Sequence, residues 1–196
     1  MTLKDVKHWV FDMDGTLTVA VHDFAAIRRA LDIPAQDDIL THLNGLPAHE
    51  AQAKHAWLLE HERELALAST PAPGAVELVR ELAARGCRLG VLTRNARELA
   101  HITLEAIGLA PFFAPQDVLG RDNAAHKPDP DGLLQLARAW EVEPSQMVMV
   151  GDYRFDLDCG RAAGSKTVLV NVPENPWPEL TDWHARDCFE LRQLIA

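Results

Sequence analysis

The stretch VFDMDGTLT, residues 10–18, carries a β-branched and aromatic segment into two aspartates separated by one methionine, followed at once by Gly-Thr. The apolar half suits a buried strand. In an open α/β sheet, ligands sit beyond the carboxyl ends of the strands, which is where Asp12 and Asp14 would then lie. Two carboxylates so placed repel each other unless a cation or a proton is shared. Gly15 permits a tight turn with free N–H groups, a setting for an anion beside a divalent metal. An ordinary capped turn is written with the same letters, so the rest of the chain has to decide.

Moving outward, residues 8–11, 88–92, 147–150 and 167–170 are short apolar runs without clean alternation, as expected of parallel strands covered on both faces. Between them lie helical patterns. Val76, Val79, Leu82 and Ala83 share a face that ends at Gly86, and Leu99, Ile102 and Ile107 precede Gly108. A further helix is predicted to start after Asp129, with Pro130 at its first position and Leu133, Leu136, Ala137 and Trp140 facing inward. The alternation predicts an α/β fold with a doubly wound parallel sheet.

From residue 19 to residue 72 the alternation stops. Three amphipathic helical patterns replace it, at residues 24–31, 38–43 and 47–67, punctuated by Pro34, Pro47, Pro71 and Pro73. The expected organisation is a core built from residues 1–18 and 73–196, with a helical insert at 19–72. Ala51, His55, Leu58, Leu59 and Leu65 form the expected inner side of the long helix. HEAQAKH and HERE lack the spacing of a metalloprotease helix and are taken as solvated surface, and Trp57 as packing.

Composition sets bounds. The 196 residues, 47% of them apolar, suffice for one substantial core with a small module. A net charge of −10 argues against a bare nucleic-acid or anionic-membrane binder. No apolar run has the length of a membrane span, and the amino-terminal segment is too short and acidic-ended for a signal peptide, so a cytoplasmic location is expected. Cys87, Cys159 and Cys188 are widely spaced without a CxxC pair and are expected to be reduced thiols.

Three more stretches fall at predicted strand ends or helix starts. VLTRN (residues 91–95) presents Thr93, Arg94 and Asn95, a hydroxyl and polar groups suited to a phosphate. AHKPDP brings Lys127 as a point charge toward the same ligand. MVMVGDYRFDLDCG ends a strand at Asp152, a hard oxygen ligand, and carries Asp156, which could orient a ligand or Lys127; Asp158 reads as a solvated helix residue.

With DMDGT, the threonine of VLTRN, the lysine of HKPDP and GDYRFD in this order, the chain resembles the haloacid-dehalogenase-like (HAD) hydrolases. The spacing is similar to that of their phosphoglycolate-phosphatase and β-phosphoglucomutase branch. The resemblance covers nearly the whole chain and is weakest in the insert, which looks like a shortened helical cap. It implies a Rossmann-like core and a Mg²⁺-dependent phosphatase acting on a small phosphorylated metabolite, phosphoglycolate-like or sugar-phosphate-like. Asp12 would be the nucleophile that forms an aspartyl-phosphate, and Asp14 the acid and base for the leaving group and the water. The Asp12 carboxylate, the Asp14 carbonyl and Asp152 would hold Mg²⁺. Thr93 and Lys127 would stabilise the transferring phosphoryl group, with Asp156 holding Lys127 or a metal-bound water.

Four alternatives stand beside this one. A haloalkanoate dehalogenase would need no metal and would lack a counterpart of Asp14. A phosphomutase would use the same core but shield its intermediate under a larger cap. A non-catalytic phospho-accepting signalling domain would place its aspartate on a later strand and carry no insert. An inactive binding protein would miss a motif residue. For the leaving group, Arg28, His42, Asn44 and Gly45 are the insert candidates, with LNGLP a loop that could face the site. The expected assembly is a monomer or homodimer.

Overall fold

The computed structural model describes residues 2–196. Its strands are β1 (His8–Phe11), β2 (Arg88–Leu92), β3 (Val118–Leu119), β4 (Met147–Gly151), β5 (Lys166–Val170) and β6 (Trp183–Ala185). They form one parallel sheet in the order β3-β2-β1-β4-β5-β6. The strand order reverses beside β1, whose Val10 lies in register between Gly90 and Met149.

β1 is buried on both faces, and its side chains alternate between two cores. Trp9 and Phe11 join Leu78 and Leu82 of α4 (Ala75–Ala84), Leu104 of α5 (Arg97–Ala106) and Leu191 of α8 (Cys188–Leu194). Val10 turns to the opposite layer, with Leu133, Leu136 and Trp140 of α6 (Asp131–Trp140) and Cys159 of α7 (Arg154–Ala163). Trp9, Val10 and Phe11 are fully buried, worth about 1.5–3 kcal/mol each by apolar burial. The indole N–H of Trp9 donates to the Val6 carbonyl at 3.0 Å, so no polar group is stranded there. This is the doubly wound α/β fold, and it aims the end of β1 at the crevice between its neighbours.

The four anticipated strands are present. β3 and β6, two and three residues long, are additions that the sequence reading did not contain. All three cysteines are free thiols.

Between β1 and α4 lie α1 (Phe24–Ala30), α2 (Ile39–Asn44) and α3 (Ala48–Leu67). The Asp23 carboxylate caps α1 by accepting the Ala26 N–H, and Asp38 caps α2 by accepting that of Thr41. These helices share a small core of their own, including Ile27, Leu31, Leu40, Leu43 and Leu58. The two chain segments joining them to the sheet are bonded to each other: Val19 N–H donates to the Thr70 carbonyl, and Ala72 N–H to that of Leu17.

α3 is turned about its axis from the expected orientation. Its buried residues are Leu58, Glu62 and Ala66, whereas Ala51, His55, Leu59 and Leu65 are only half-buried. The cause is that α3 packs against α5 as well as against its own small core. HERE is therefore not a wholly solvated stretch, since it contains the buried Glu62. Trp57, expected to pack, is 41% exposed and stacks on His61 with ring centroids 5.1 Å apart.

Candidate active site

The chain leaves β1 at Asp12, whose N–H still donates to the Val150 carbonyl of β4. It then folds back tightly, with the N–H groups of Thr16, Leu17 and Thr18 all directed at the Met13 carbonyl. Gly15 makes the turn with φ +84°, and a Cβ at this position would lie 2.5 Å from Asp152 Oδ2. Both the backbone angle and the close approach require glycine. Asn171 holds the loop from behind, its amide donating to the carbonyls of Gly15 and Thr16 at 2.9 Å each.

Three loops converge on this turn. Lys127, whose side chain is 2% exposed, reaches between two carboxylates, with Nζ 2.5 Å from Asp12 Oδ1 and 2.7 Å from Asp156 Oδ1. Burial alone would lower its pKa, but Asp12 and Asp156 overcome this and hold the ammonium well above its ordinary value. Asp156 stands in the first turn of α7, where its other oxygen accepts the Tyr153 N–H at 3.1 Å and the helix dipole favours an anion. Asp152, at the end of β4, accepts the Thr16 hydroxyl at 3.0 Å. Thr93, at the end of β2, is buried, and its hydroxyl oxygen accepts the Asn95 N–H at 3.1 Å.

Asp12, Asp152 and Asp156 each place a carboxylate oxygen within 4.8 Å of the others. Burial and then the charges of Asp12 and Asp156 push Asp152 up to about 8, so this cluster carries more negative charge than its surroundings relieve. Asp14 is directed elsewhere. Its Oδ2 accepts the Asn95 side-chain amide at 2.6 Å, and its Oδ1 lies 3.8 Å from His22 Nδ1. Burial, followed by repulsion from Asp12 and Glu62, pushes its pKa up to about 7, in the range where a carboxyl gives and takes protons at neutral pH.

A cleft of about 540 Å³ opens above these groups. Its upper wall comes from α1, α2, α3 and the segment before α1, and includes His22, Phe24, Ile27, Arg28, Leu40 and Glu62. Two ion pairs span from these helices to the loops of the sheet. Arg94 donates to both oxygens of Asp38 at 2.8 Å, and its guanidinium lies over Phe155, 4.7 Å from the ring centroid. Arg121 grips Glu62 through two nitrogens, at 3.0 and 2.8 Å, and donates to the Arg94 carbonyl.

The structure thus brings Asp12, Asp14, Thr93, Lys127, Asp152 and Asp156 to one place. It also puts Arg28 in the cleft, where Nε donates to the Asp37 carbonyl. Other expected contacts take a different form. Arg94 and Asn95 line the cleft but are engaged by Asp38 and Asp14 rather than left open for a phosphate. Asn44 and Gly45 are exposed at the far end of α2 and do not line the cleft, because α2 points its amino end, with Asp38, Ile39 and Leu40, at the site. His42 pairs with Asp37 at 2.9 Å and does not line it either. Asp158, expected to be solvated, is partly buried and pairs with Arg154 one turn away on α7.

Glu62, Arg121, His22, Tyr153 and Phe155 were missed. Only Tyr153 and Phe155 carried a signal, lying between two of the aspartates already singled out.

The model of the haloacid dehalogenase-like hydrolases matches residues 6–164. The chain belongs to the haloacid dehalogenase-like hydrolase family. A haloacid dehalogenase-like hydrolase domain-containing protein of Arabidopsis thaliana is 34% identical over 177 residues, spanning 83% of this chain and 69% of the relative. A phosphoglycolate phosphatase of Rhodospirillum rubrum is also 34% identical, over 84% of this chain and 79% of its own. Among solved structures, a hydrolase from Pseudomonas syringae superposes with a TM-score of 0.79 at 23% identity, covering 96% of each chain. This last likeness concerns the fold. Of the six motif residues, Asp12, Asp14, Thr93 and Asp152 lie at or just beyond the carboxyl ends of β1, β2 and β4, Lys127 lies in the segment between β3 and α6, and Asp156 lies in the first turn of α7.

Proposed function

We propose that this haloacid dehalogenase-like hydrolase is a Mg²⁺-dependent phosphatase that cleaves a small phosphorylated metabolite through an aspartyl-phosphate. Its family and relatives make it a phosphoric monoester hydrolase; the cofactor, the intermediate and the substrate are the further reading. The observation that carries it is the division of labour between two carboxylates on one turn. Asp12 faces Lys127 and the acidic cluster, while Asp14 is turned toward an amide and the cleft.

A divalent cation fits the residues present. Asp12 and Asp152 offer hard oxygen donors in a crowded acidic cluster, as such an ion prefers, and the Asp14 carbonyl is the third expected ligand. Mg²⁺ bound there supplies charge neutralisation for the phosphoryl group and the nucleophile. Asp156 belongs to the same cluster, but both of its oxygens are engaged, Oδ1 by Lys127 and Oδ2 by the Tyr153 N–H.

In the first step Asp12 attacks phosphorus. The P–O bond to the ester oxygen breaks, and Asp14 gives its proton to that oxygen, releasing an alcohol. In the second, Asp14 takes a proton from water as the water attacks phosphorus, freeing inorganic phosphate and restoring Asp12. Lys127 and Thr93 hold the phosphoryl oxygens against the charge that builds up in transfer. The helices α1–α3 act as a cap that surrounds the leaving group, and Arg28 is their candidate for contacting it.

The decisive experiment is phosphate release from a panel of phosphorylated metabolites, including 2-phosphoglycolate and hexose phosphates, in Mg²⁺ and in EDTA. Activity is expected with Mg²⁺ and not with EDTA. Equal turnover in both, or release of halide from a haloalkanoate instead, overturns the reading.

A further inference from the structure

The polar group of VLTRN whose partner was least expected is the Asn95 side chain. Its Nδ2 donates to Asp14 Oδ2 at 2.6 Å, a short contact for an amide and a carboxylate. The geometry points to Asn95 as a positioning residue for the acid and base of the reaction, fixing which oxygen of Asp14 exchanges the proton. This rests on the phosphatase reading above.

The argument is stereochemical. An oxygen that accepts from the Asn95 amide has its lone pair occupied on that side, so the exchangeable proton belongs on Oδ1. Without the amide, the carboxyl group would turn about its last torsion, which is broad and two-fold, and present either oxygen. A proton donor must lie within hydrogen-bonding reach of the ester oxygen when the P–O bond breaks, so this rotation would put the proton on the wrong side for part of the time.

Asn95 is itself held from several directions. Its N–H donates to Thr93 Oγ1 at 3.1 Å, and its carbonyl accepts the Arg121 N–H at 2.9 Å. Gly120 allows this close approach, since a Cβ there would lie 2.6 Å from the Asn95 carbonyl oxygen. Arg121 in turn is gripped by Glu62 of α3, and the preceding Arg94 by Asp38 at the start of α2. The amide that orients Asp14 is therefore mounted on a loop fixed at both ends and braced by the helices above it.

The test compares esters that need a proton donor with one that does not. A nitrophenolate leaves without protonation, whereas an alkoxide does not. For Asn95→Ala, kcat/KM toward an alkyl phosphate should fall by about 10²-fold, the scale of a misplaced catalytic group. For p-nitrophenyl phosphate, which needs no proton donor, the fall should be at least tenfold smaller, about tenfold or less. Competitive inhibition by inorganic phosphate should stay unchanged, and Asn95→Gln, which keeps an amide donor, should recover part of the alkyl-ester rate. The ratio between two substrates is read on one preparation, so partial unfolding does not alter it.

Equal losses on both esters overturn the inference. If they come with weakened phosphate inhibition, Asn95 is a phosphate ligand; without it, Asn95 only supports the loop. A variant that matches the wild type on both esters overturns it as well. A wild-type protein that releases no phosphate from either ester sinks the phosphatase reading and this inference with it, which separates the two failures.

Discussion

Gly15 and Asp152, 137 positions apart in the chain, are in such close contact that a methyl group on the first would lie 2.5 Å from a carboxylate oxygen of the second. The glycine also has φ +84°, a conformation that costs an L-residue about 1–2 kcal/mol. Gly15→Ala should therefore push Asp152 out of the acidic cluster. Activity should be lost and Mg²⁺ affinity, measured by calorimetry, should fall at least tenfold, on the scale seen when metal-orienting groups are removed. Wild-type Mg²⁺ affinity in this variant would show that Asp152 is not a ligand.

Lys127 is a buried cation between two anions, so removing it leaves Asp12 and Asp156 facing each other uncompensated. Lys127→Met should cost about 3–5 kcal/mol of stability in urea denaturation at pH 7.5 and abolish phosphate release. Lowering the pH should restore part of that stability by protonating one of the two acids. A variant as stable as the wild type at both pH values would mean that the ion pairs carry no net energy.

The stability of the metal-free protein should depend on pH in a definite direction. Asp14 is raised to about 7 and Asp152 to about 8, in both cases first by burial. A carboxyl raised on folding contributes stability that is fully present below its unfolded pKa and is lost as the pH rises through its folded one. Burial holds His8, His22, His55 and His101 below 6.5, which works the opposite way below that value. Between about pH 6.5 and 8.5 the acids dominate, so Tm should fall as pH rises. Mg²⁺ should flatten the slope by stabilising the charged forms, and so should Asp152→Asn. A metal-free Tm that rises across this window contradicts the assignment.

The Glu62–Arg121 pair joins α3 to the loop after β3 and is nearly enclosed, with side chains 8% and 13% exposed. Glu62→Leu or Arg121→Met alone should destabilise by about 3–5 kcal/mol, whereas the double variant should cost less than the sum. A double-mutant cycle by thermal or urea unfolding measures the difference. Additive losses would place the two charges in independent roles.

What the sequence made legible follows from how each feature is encoded. Asp12, Thr93 and Asp152 could be found because each ends an apolar run, and the parallel sheet brings those ends together without further information. β3 was invisible because two residues set no period; Val118 and Leu119 are extended because Val91 and Leu92 pair with them. Trp183 to Ala185 is half-exposed at its start and reads as a loop until β5 lies beside it. The partners of Arg94 and Asn95 were hidden for a different reason. They depend on Asp38 and Asp14, far away in the chain, and a polar residue after a strand looks the same whether it awaits a ligand or holds a neighbour. Glu62, set among polar helical residues, gave no sign that one acid in HERE would be enclosed.

The shortness of β3 and β6 has its own effect on how these molecules meet in concentrated solution. A parallel sheet ends in two rows of unpaired N–H and C=O groups, each a template on which a foreign strand could add. Here those rows are two and three residues long, too brief to hold an incoming chain in register. The apolar runs of β1 (Trp9, Val10, Phe11) and β4 (Met147, Val148, Met149, Val150) lie in the interior of the sheet, with a partner strand on either side. The segments best suited to cross-β stacking are thus the ones least able to start it, and edge-on aggregation should require unfolding rather than mere crowding.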